Sequence, residues 1–203
     1  MRLVCYNIHK GMDEFRRVTL LQLIKYLKSL DADVICLQEV LYYQFNMMKL
    51  ILKMNGVFAI HVHNKKMKFG ICILSKEKII KSNHILLTSK KEQRGILSID
   101  RENEVIINTH LGLDSEERKT QISEILNFAK NKDKNIIICG DFNEENINLS
   151  SYKEVAKYLF EDRKPTFNKW RIDYIFCSQV TKVKSYQVDQ VFYSDHFPIM
   201  IEM

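Results

Sequence analysis

A set of carboxylate, amide and imidazole side chains stands at the ends of short apolar runs in this chain. Carboxylate and amide oxygens without thiolates suit Mg²⁺ or Mn²⁺ better than zinc. Imidazoles add groups that transfer protons or donate hydrogen bonds near neutral pH. The members of the set are Asn7, Glu39, His110, Asp141, Asn143, Asp173, Asp195 and His196.

Together these groups could hydrolyse a phosphate ester. A divalent cation neutralises charge on the phosphoryl group, an oriented base activates water, and amide and imidazole donors stabilise the phosphoryl oxygens in the transition state. Taken singly, an Asp or Asn after a strand is usually a turn former or a helix cap. A single His is more often a core or surface residue than a catalyst. The combination at successive strand ends favours metal-assisted phosphoester hydrolysis.

The elements that must position this set alternate between strand and helix patterns. Helices are predicted over 20–30, 41–52, 114–129 and 151–160, the third opened by a capping box of Asp114 and Glu117. Strands are predicted over 2–7, 33–38, 57–63, 69–75, 79–87, 95–100, 104–110, 135–139, 171–177, 182–188 and 198–203. The pattern predicts one mixed α/β domain over residues 1–203, with helices covering sheets. Ligand sites in such domains lie where strands end, so we expect the polar set to converge.

The charge of the chain bears on its partner. Lys and Arg number 31 against 25 Asp and Glu, a formal net charge of +6. This excess weakly favours a polyanionic partner, although a Lys-rich composition gives the same excess with no binding role. Residues 61–69, with Lys65, Lys66 and Lys68, form either a basic rim for a polyanion or a solvated hairpin turn. No stripe of interleaved basic and aromatic residues, of the kind that stacks bases, is evident along the chain.

Composition excludes several classes of protein. With 46% hydrophobic and 28% charged residues, the chain is neither disordered nor collagenous. Its apolar runs fall far short of the roughly 18 residues needed to span a bilayer. The first residues read as a strand, not as a signal peptide. The cysteines match no zinc-ligand spacing, so we interpret them as small core residues of a reduced, cytoplasmic protein. They are Cys5, Cys36, Cys72, Cys139 and Cys177.

Six runs resemble, in order, the signature of the endonuclease/exonuclease/phosphatase superfamily. They are YNIHKG (6–11), DVICLQEV (33–40), NTHLG (108–112), CGDFNEE (139–145), RIDYIF (171–176) and SDHFPI (194–199). That superfamily includes DNase I, exonuclease III-type AP endonucleases, inositol polyphosphate 5-phosphatases, sphingomyelinases and deadenylases. The resemblance implies a DNase I-like α/β (α+β) fold: a four-layer α-β-β-α sandwich whose two mostly antiparallel sheets pack face to face.

The resemblance also implies metal-site and water-orienting residues. Glu39 corresponds to the principal ligand of Mg²⁺ (or Mn²⁺), and Asn7 to the residue beside that metal and the scissile phosphate. Asp195 corresponds to a further carboxylate of the metal site. Asp141 and Asn143 correspond to the pair that orients the nucleophilic water and contacts the phosphate, and Asp141 is also a candidate ligand for a second metal.

The remaining roles implied by the resemblance belong to imidazoles and their neighbours. His196 corresponds to either the general base or a phosphate-stabilising imidazole, and Asp173 to the carboxylate that orients it and fixes its tautomer. His110 corresponds to the second histidine of the DNase I, phosphatase and sphingomyelinase branches. Arg94 stands where several members place an arginine that contacts the substrate phosphate.

Three functions remain open at this point. The leading one is a Mg²⁺-dependent, nuclease-like phosphodiesterase that cleaves nucleic acid by in-line attack of water, motivated by the net charge and by the pair of His110 and His196. The alternative is a phosphatase or phospholipase C-type enzyme acting on inositol phosphates or phospholipid headgroups. YNIHKG favours it, because His9 stands where AP endonucleases usually carry Asp. A non-catalytic binding module is disfavoured, since no expected catalytic position is lost. We expect a monomer with a phosphate-ester substrate and no membrane span.

Overall fold

Two six-stranded sheets form the core of the computed structural model, which describes residues 1–64, 67–130, 132 and 134–203. The strands in chain order are β1 (Arg2–Asn7), β2 (Val34–Leu41), β3 (Asn55–Asn64), β4 (Met67–Ser75), β5 (Lys81–Leu87), β6 (Arg94–Asp100), β7 (Glu104–His110), β8 (Asn135–Asp141), β9 (Lys153–Glu154), β10 (Asp173–Cys177), β11 (Ser185–Val188) and β12 (Ile199–Glu202). The first sheet has the order β11-β12-β1-β2-β4-β3 and the second has the order β5-β6-β7-β8-β10-β9. β1–β2 and β7–β8 are parallel pairs, and the other paired neighbours are antiparallel.

Three helices cover the outer faces of the sheets: α1 (Leu20–Ser29), α2 (Tyr42–Leu52) and α3 (Ser115–Ala129). The short helix α4 (Val155–Tyr158) instead packs Val155 and Ala156 against side chains that lie between the sheets. Apolar side chains of β1, β2 and β4 pack beneath α1 and α2, and those of β7 and β8 pack beneath α3. A third cluster fills the space between the two sheets. The predicted four-layer α-β-β-α sandwich is therefore confirmed.

Three local predictions need correction. The helix predicted over 151–160 is limited to α4, because Lys153–Glu154 pairs with β10 as a short strand. The strand predicted over 182–188 begins at Ser185, because a 3₁₀ turn occupies Val180–Lys182. The predicted capping box is a simple N-cap: Asp114 accepts from the backbone N–H of Glu117 at 2.9 Å, but the Glu117 carboxylate accepts from Gln121.

The two-residue repeat of the strands directs the site residues into the gap between the sheets. Alternate side chains of a strand point to opposite faces. Cys5 of β1 and Cys139 of β8 both belong to the inter-sheet cluster. Two positions further on, Asn7 and Asp141 therefore face the same gap, at the point where both strands end. His110 reaches this edge at the end of β7, where it pairs in register with Asp141.

A close approach of two strands at Gly140 fixes that register. Gly140 has φ +152°, and a Cβ atom at this position would lie 2.0 Å from the carbonyl oxygen of Thr109. Only glycine meets both conditions, since it has no Cβ to collide with the neighbouring strand. The glycine before Asp141 therefore allows β7 and β8 to bring His110 and Asp141 side by side.

A β-bulge in β2 re-aims Glu39. The register between β2 and β4 shifts between Leu37 and Val40, and Glu39 has the left-handed φ of +54°. In a regular strand Glu39 would point away from the face that carries Gln38. Gln38 Nε2 donates to Asn108 Oδ1 at 2.6 Å, which ties the bulge to the second sheet. Left-handed backbone at a non-glycine residue is uncommon and is often held in place at functional sites.

Three further sequence predictions concern the cysteines, a membrane-spanning helix and the basic rim. The five cysteines are free and buried, as expected for core residues. Within the described residues, no helix is long and apolar enough to cross a membrane. Of the predicted basic rim, Lys68 is exposed on β4, whereas Lys65 and Lys66 lie outside the described residues.

Candidate active site

Asp141 is the centre of the candidate site. Its Oδ2 accepts a hydrogen bond from Asn7 Nδ2 at 2.9 Å and lies 3.5 Å from His110 Nε2 and 3.6 Å from His196 Nε2. Its Oδ1 accepts from the backbone N–H of Asn143 at 2.9 Å. All except Asn143 are buried. One carboxylate therefore brings together four predicted site residues, drawn from both sheets and from the loops between them.

His196 is held in place by Asp173. The Nδ1 of His196 lies 2.9 Å from Asp173 Oδ2, so the ring presents Nε2 to Asp141. Asp173 opens β10 directly opposite Asp141, and its backbone N–H donates to Thr166 Oγ1 at 3.1 Å. The ring of Phe167 lies 4.7 Å from the His196 ring, centroid to centroid. Hydrogen bonding and ring packing together fix the orientation of this imidazole.

His110 is paired with the buried guanidinium of Arg94. Arg94 Nη1 lies 3.4 Å from His110 Nδ1 and donates to Glu92 Oε1 at 2.6 Å. Arginine can only donate hydrogen bonds, so we assign the acceptor role to His110 Nδ1 and the proton to Nε2. His110 therefore directs an N–H towards the Asp141 carboxylate. Arg94, which the resemblance predicts to contact the substrate phosphate, therefore lies beside His110 in this cluster.

Asn143 takes a different position from the other site residues. Its backbone is left-handed, with φ +51°, a conformation that Asn adopts more readily than most residues. Its backbone N–H donates to Asp141, and its side-chain Nδ2 donates to the carbonyl of Leu111 at 2.9 Å. In this structure the Asn143 amide braces the loop after β8, and the backbone N–H is the group that contacts Asp141.

The predicted metal ligands Glu39 and Asp195 lie at the edge of this cluster. Glu39 Oε2 is 3.7 Å from Lys10 Nζ, and Asp195 Oδ2 is 3.5 Å from His9 Nδ1. Asn7 joins the two regions, because its Oδ1 accepts from the backbone N–H of His9 at 3.1 Å while its Nδ2 donates to Asp141. Both carboxylates are partly exposed, with side chains 22% and 26% accessible, so a cation from solvent can reach them.

Burial and neighbouring charges shift the pKa values of His196 and His110 in opposite directions. Burial alone would lower the pKa of His196, but the carboxylates of Asp173 and Asp141 outweigh it and raise that pKa to about 10. Burial and the charge of Arg94 hold the pKa of His110 well below its usual range. Burial raises the pKa of Asp141 to about 6, although the His196 charge opposes this. At neutral pH, His196 is therefore protonated and His110 neutral, as expected of groups with different roles.

Within the part of the chain that the structure describes, two groups of residues could hold a metal ion. Asp141, Asp173 and His196 offer ligand atoms that all lie within 4.8 Å of one another, but Asp173 and His196 already bond each other. The second group, Glu39, Asp195 and the Asn7 amide, offers oxygen donors, and each carboxylate has a cationic or imidazole neighbour. Oxygen donors suit Mg²⁺, so the chemistry of the second group fits that ion better.

Several residues of the site carried no assignment from the sequence. His9 and Lys10 belong to the YNIHKG run, so that run already held a signal for them. Gln38 and Asn108 are polar residues inside apolar strands, which is a signal for a buried hydrogen-bonded pair. Phe167 lay outside every motif, and its place against His196 depends on a bridge between residues distant in sequence.

Asp173 and His196 are expected to act as one unit. Replacing Asp173 by asparagine should lower turnover by about 10- to 100-fold, because the imidazole loses the partner that fixes its tautomer and charge. In an Asp173→Asn, His196→Ala double variant, the loss should scarcely exceed that of His196→Ala alone. Steady-state kinetics of the four proteins measures this, and a double-variant loss equal to the product of the single losses would contradict the pairing.

Comparison with known proteins gives one family and one fold. The sequence profile of the Endonuclease/Exonuclease/phosphatase family matches residues 4–196. No curated protein matches the chain. The structure is similar to the mannosyl-6-phosphatase Bt3783 of Bacteroides thetaiotaomicron VPI-5482, with a TM-score of 0.81 and 17% identity over 100% of this chain and 98% of that one.

Two further solved structures show the same similarity. A humanized D. rerio TDP2 has a TM-score of 0.80 and 17% identity, covering 99% of this chain and 97% of its own. The human Nocturnin catalytic domain with bound sulfate anion has a TM-score of 0.76 and 20% identity, covering 99% and 92%. At such identities the likeness establishes the sandwich fold alone.

Proposed function

The chain belongs to the endonuclease/exonuclease/phosphatase family of phosphoester hydrolases, and on that premise we propose that it is a Mg²⁺-dependent phosphodiesterase that cleaves nucleic acid. The observation that carries the proposal is the Asp141 carboxylate, which is shared by Asn7, His110 and His196 within 3.6 Å. A buried carboxylate that faces two oriented imidazoles has the parts needed to activate water and to stabilise a phosphoryl group.

Asp141 is the proposed base. Its Oδ2 is fixed by the hydrogen bond from Asn7 Nδ2 and lies between the two imidazoles. A water molecule bound there would lose a proton to this carboxylate as its oxygen attacks the phosphorus. The new P–O bond forms while the bond to the leaving oxygen breaks on the opposite side, and the leaving oxygen, which carries away the electron pair, takes a proton from solvent water. Burial raises the pKa of Asp141 to about 6, which makes it a stronger base than an exposed aspartate.

The imidazoles and Arg94 are the proposed donors to the phosphoryl oxygens. His196, protonated and held by Asp173, directs Nε2–H towards the centre of the site. His110, neutral, directs its own Nε2–H to the same place because Arg94 occupies its Nδ1. This assignment selects the phosphate-stabilising role for His196 over the role of general base. Fixed donors of this kind stabilise the transition state because they need not reorganise as charge develops.

Glu39 and Asn7, with Asp195, are the residues that would hold the metal. When bound, Mg²⁺ neutralises charge on the phosphoryl oxygens and so favours attack by water. The bulge at Glu39 supports this assignment, because it presents a carboxylate where a regular strand would not. Lys10, 3.7 Å from Glu39 Oε2, supplies a positive charge to the same carboxylate.

The net charge supports nucleic acid as substrate, and one cavity favours the alternative. The formal charge of +6 suits a polyanion. A cavity of about 260 Å³ beside Arg94 is lined by three cationic and three anionic side chains. This small cavity, lined by equal numbers of positive and negative side chains, suits the polar part of a small-molecule phosphate ester. A phosphatase that acts on sugar or inositol phosphates is therefore the second candidate. Its charged lining residues are Lys90, Lys91, Glu92, Arg94, Asp114 and Glu117.

Salt dependence separates the two candidates. With nucleic acid as substrate, KM should rise steeply with salt, because each phosphate contact on duplex DNA contributes a log–log slope in affinity of about −0.9. A small phosphate ester releases few counterions, so its KM should change little. We would measure hydrolysis of DNA, RNA, inositol phosphates and sugar phosphates with Mg²⁺ across a salt series. A flat response, together with no cleavage of DNA or RNA, would reject the nuclease proposal in favour of the phosphatase.

We also propose a reducing compartment, the cytoplasm, and a monomeric enzyme. Five free, buried cysteines support the first part, because thiols that remain reduced are typical of intracellular proteins. The inter-sheet cluster draws on strands of both sheets and supports a single domain as the working unit.

A further inference from the structure

A shallow cavity of about 460 Å³ adjoins the end of β2 and has no part in the chemistry described above. It is mostly apolar and open to solvent, and its described lining includes Leu41, Tyr42, Tyr43 and Lys68. Leu41 lies two residues after Glu39. At about 3.3 Å per residue, the cavity therefore begins within roughly 7 Å of backbone from the proposed metal ligand.

Two tyrosine rings and a lysine form its surface, which we call the tyrosine surface (Tyr42, Tyr43 and Lys68). Tyr42 is 40% exposed and Tyr43 is 59% exposed. The Tyr42 ring stands edge-on to the Phe58 ring, with centroids 5.3 Å apart and planes at 72°, so its orientation is fixed by packing. Lys68 Nζ lies 5.4 Å from the centroid of the same ring. Exposed, oriented aromatic rings beside a cation are the elements of a stacking site.

Lys10 links the tyrosine surface to the candidate active site. Its Nζ lies 5.0 Å from the Phe69 ring and 3.7 Å from Glu39 Oε2, and Phe69 pairs with Leu41 across the sheet. Gln44, buried at the start of α2, donates to the Lys10 carbonyl at 2.6 Å. The turn that carries Lys10 is therefore tied to the helix that carries the tyrosines. A ligand that spans both would meet rings at one end and the proposed metal site at the other.

We propose that the tyrosine surface binds an unpaired nucleobase of the substrate, stacked on Tyr42 and Tyr43, while Lys68 and Lys10 attract the phosphates that flank it. The inference rests on the proposed function, and it narrows the substrate to nucleic acid with single-stranded character. A duplex hides the faces of its bases, whereas a single strand or a frayed end exposes them. A single strand also carries the phosphates that the two lysines would attract, whereas an uncharged lipid chain offers them no partner.

The sequence could not indicate this surface. Tyr42 and Tyr43 begin α2, whereas Lys68 belongs to β4 and reaches them only because β2 and β4 are neighbours in the sheet. A search for alternating basic and aromatic residues along the chain therefore misses it.

Binding without turnover tests the inference. In EDTA, we would measure the affinity of the wild type and of Tyr43→Leu, Tyr42→Leu and Tyr42→Phe for a short oligothymidylate and for an abasic oligomer of the same length. Each Leu variant should weaken oligothymidylate binding by about 10-fold and leave abasic binding unchanged, since stacking contributes only where a base is present. Tyr42→Phe should retain binding because it keeps the ring. Tyr158→Leu, which replaces a tyrosine 44% exposed on α4, is the matched control.

Fluorescence of a base analogue measures stacking directly, and the exposed position of Tyr43 separates loss of binding from loss of folding. An oligomer that contains 2-aminopurine should lose fluorescence on binding to the wild type, and the loss should be absent in Tyr43→Leu. Tyr42 packs against Phe58 and its loss could perturb folding, but Tyr43 is largely exposed, so thermal unfolding of Tyr43→Leu should match the wild type.

Three outcomes would overturn the inference. They are equal wild-type affinity for the abasic oligomer and oligothymidylate, unchanged oligothymidylate binding in Tyr43→Leu, and binding to anionic phospholipid vesicles with none to oligothymidylate. Failure of the proposed function is distinguished by a separate result: tyrosine-dependent binding of oligothymidylate with no cleavage of any nucleic acid when Mg²⁺ is added.

Discussion

Replacing Asp141 by asparagine is expected to lower turnover by about 10³-fold while the protein remains folded. The amide has nearly the shape of the carboxylate but cannot accept a proton from water, and general-base contributions are typically about 10²- to 10⁴-fold. It also cannot accept from both Asn7 Nδ2 and the backbone N–H of Asn143 through two oxygens, as the carboxylate does. The measurement is kcat on an oligonucleotide at saturating Mg²⁺, with thermal unfolding to confirm folding.

The matched control is Asp31→Asn. Asp31 is an exposed carboxylate whose backbone has φ +49°, which asparagine tolerates, and its ion pair with Lys76 lies at the surface. Surface pairs contribute little to stability, so this variant should keep wild-type turnover. If Asp141→Asn retained more than a tenth of the wild-type rate, Asp141 would not be the base.

Replacing Glu39 by glutamine should raise the Mg²⁺ concentration needed for activity by about 10-fold or more, and turnover at ordinary Mg²⁺ should fall by about 100-fold. Removing a charged oxygen ligand weakens the binding of a hard cation, and the amide leaves the shape of the bulge unchanged. A titration of activity against Mg²⁺ measures the first effect.

A second readout of Glu39→Gln does not depend on activity. A ligand that binds the folded state raises the unfolding temperature by mass action, so Mg²⁺ should stabilise the wild type more than the variant. Glu116→Gln, at an exposed position of α3, serves as the control. If both the Mg²⁺ concentration needed for activity and the thermal shift with Mg²⁺ were the same as in the wild type, Glu39 would not be a metal ligand.

The strand and helix pattern was enough to predict one mixed α/β domain with polar side chains at its strand ends, whereas the four-layer sandwich was implied by the resemblance to the family. Successive side chains of β1 and β8 alternate between the inter-sheet cluster and the clusters beneath the helices, which places Asn7 and Asp141 on the inter-sheet face. The glycine before Asp141 and the polar ends of the strands are also visible in the sequence. These features depend on local periodicity, which a single sequence carries well.

Other parts of the site depend on tertiary contacts that periodicity does not encode. Strict alternation would have turned Glu39 away from Gln38, and the bulge that changes this depends on the pairing of β2 with β4. Phe167 contacts His196 through an isolated bridge. The helix predicted over 151–160 became partly a strand because the edge of β10 was available for pairing. At Glu39 and at Lys153–Glu154, pairing with a neighbouring strand outweighs the local pattern.

The most direct test is cleavage of a labelled single-stranded oligonucleotide by the wild type and by Asp141→Asn, each with Mg²⁺ and with EDTA. We expect product only from the wild type with Mg²⁺. Cleavage at the wild-type rate by Asp141→Asn, or no cleavage of DNA or RNA by the wild type with Mg²⁺, would contradict it.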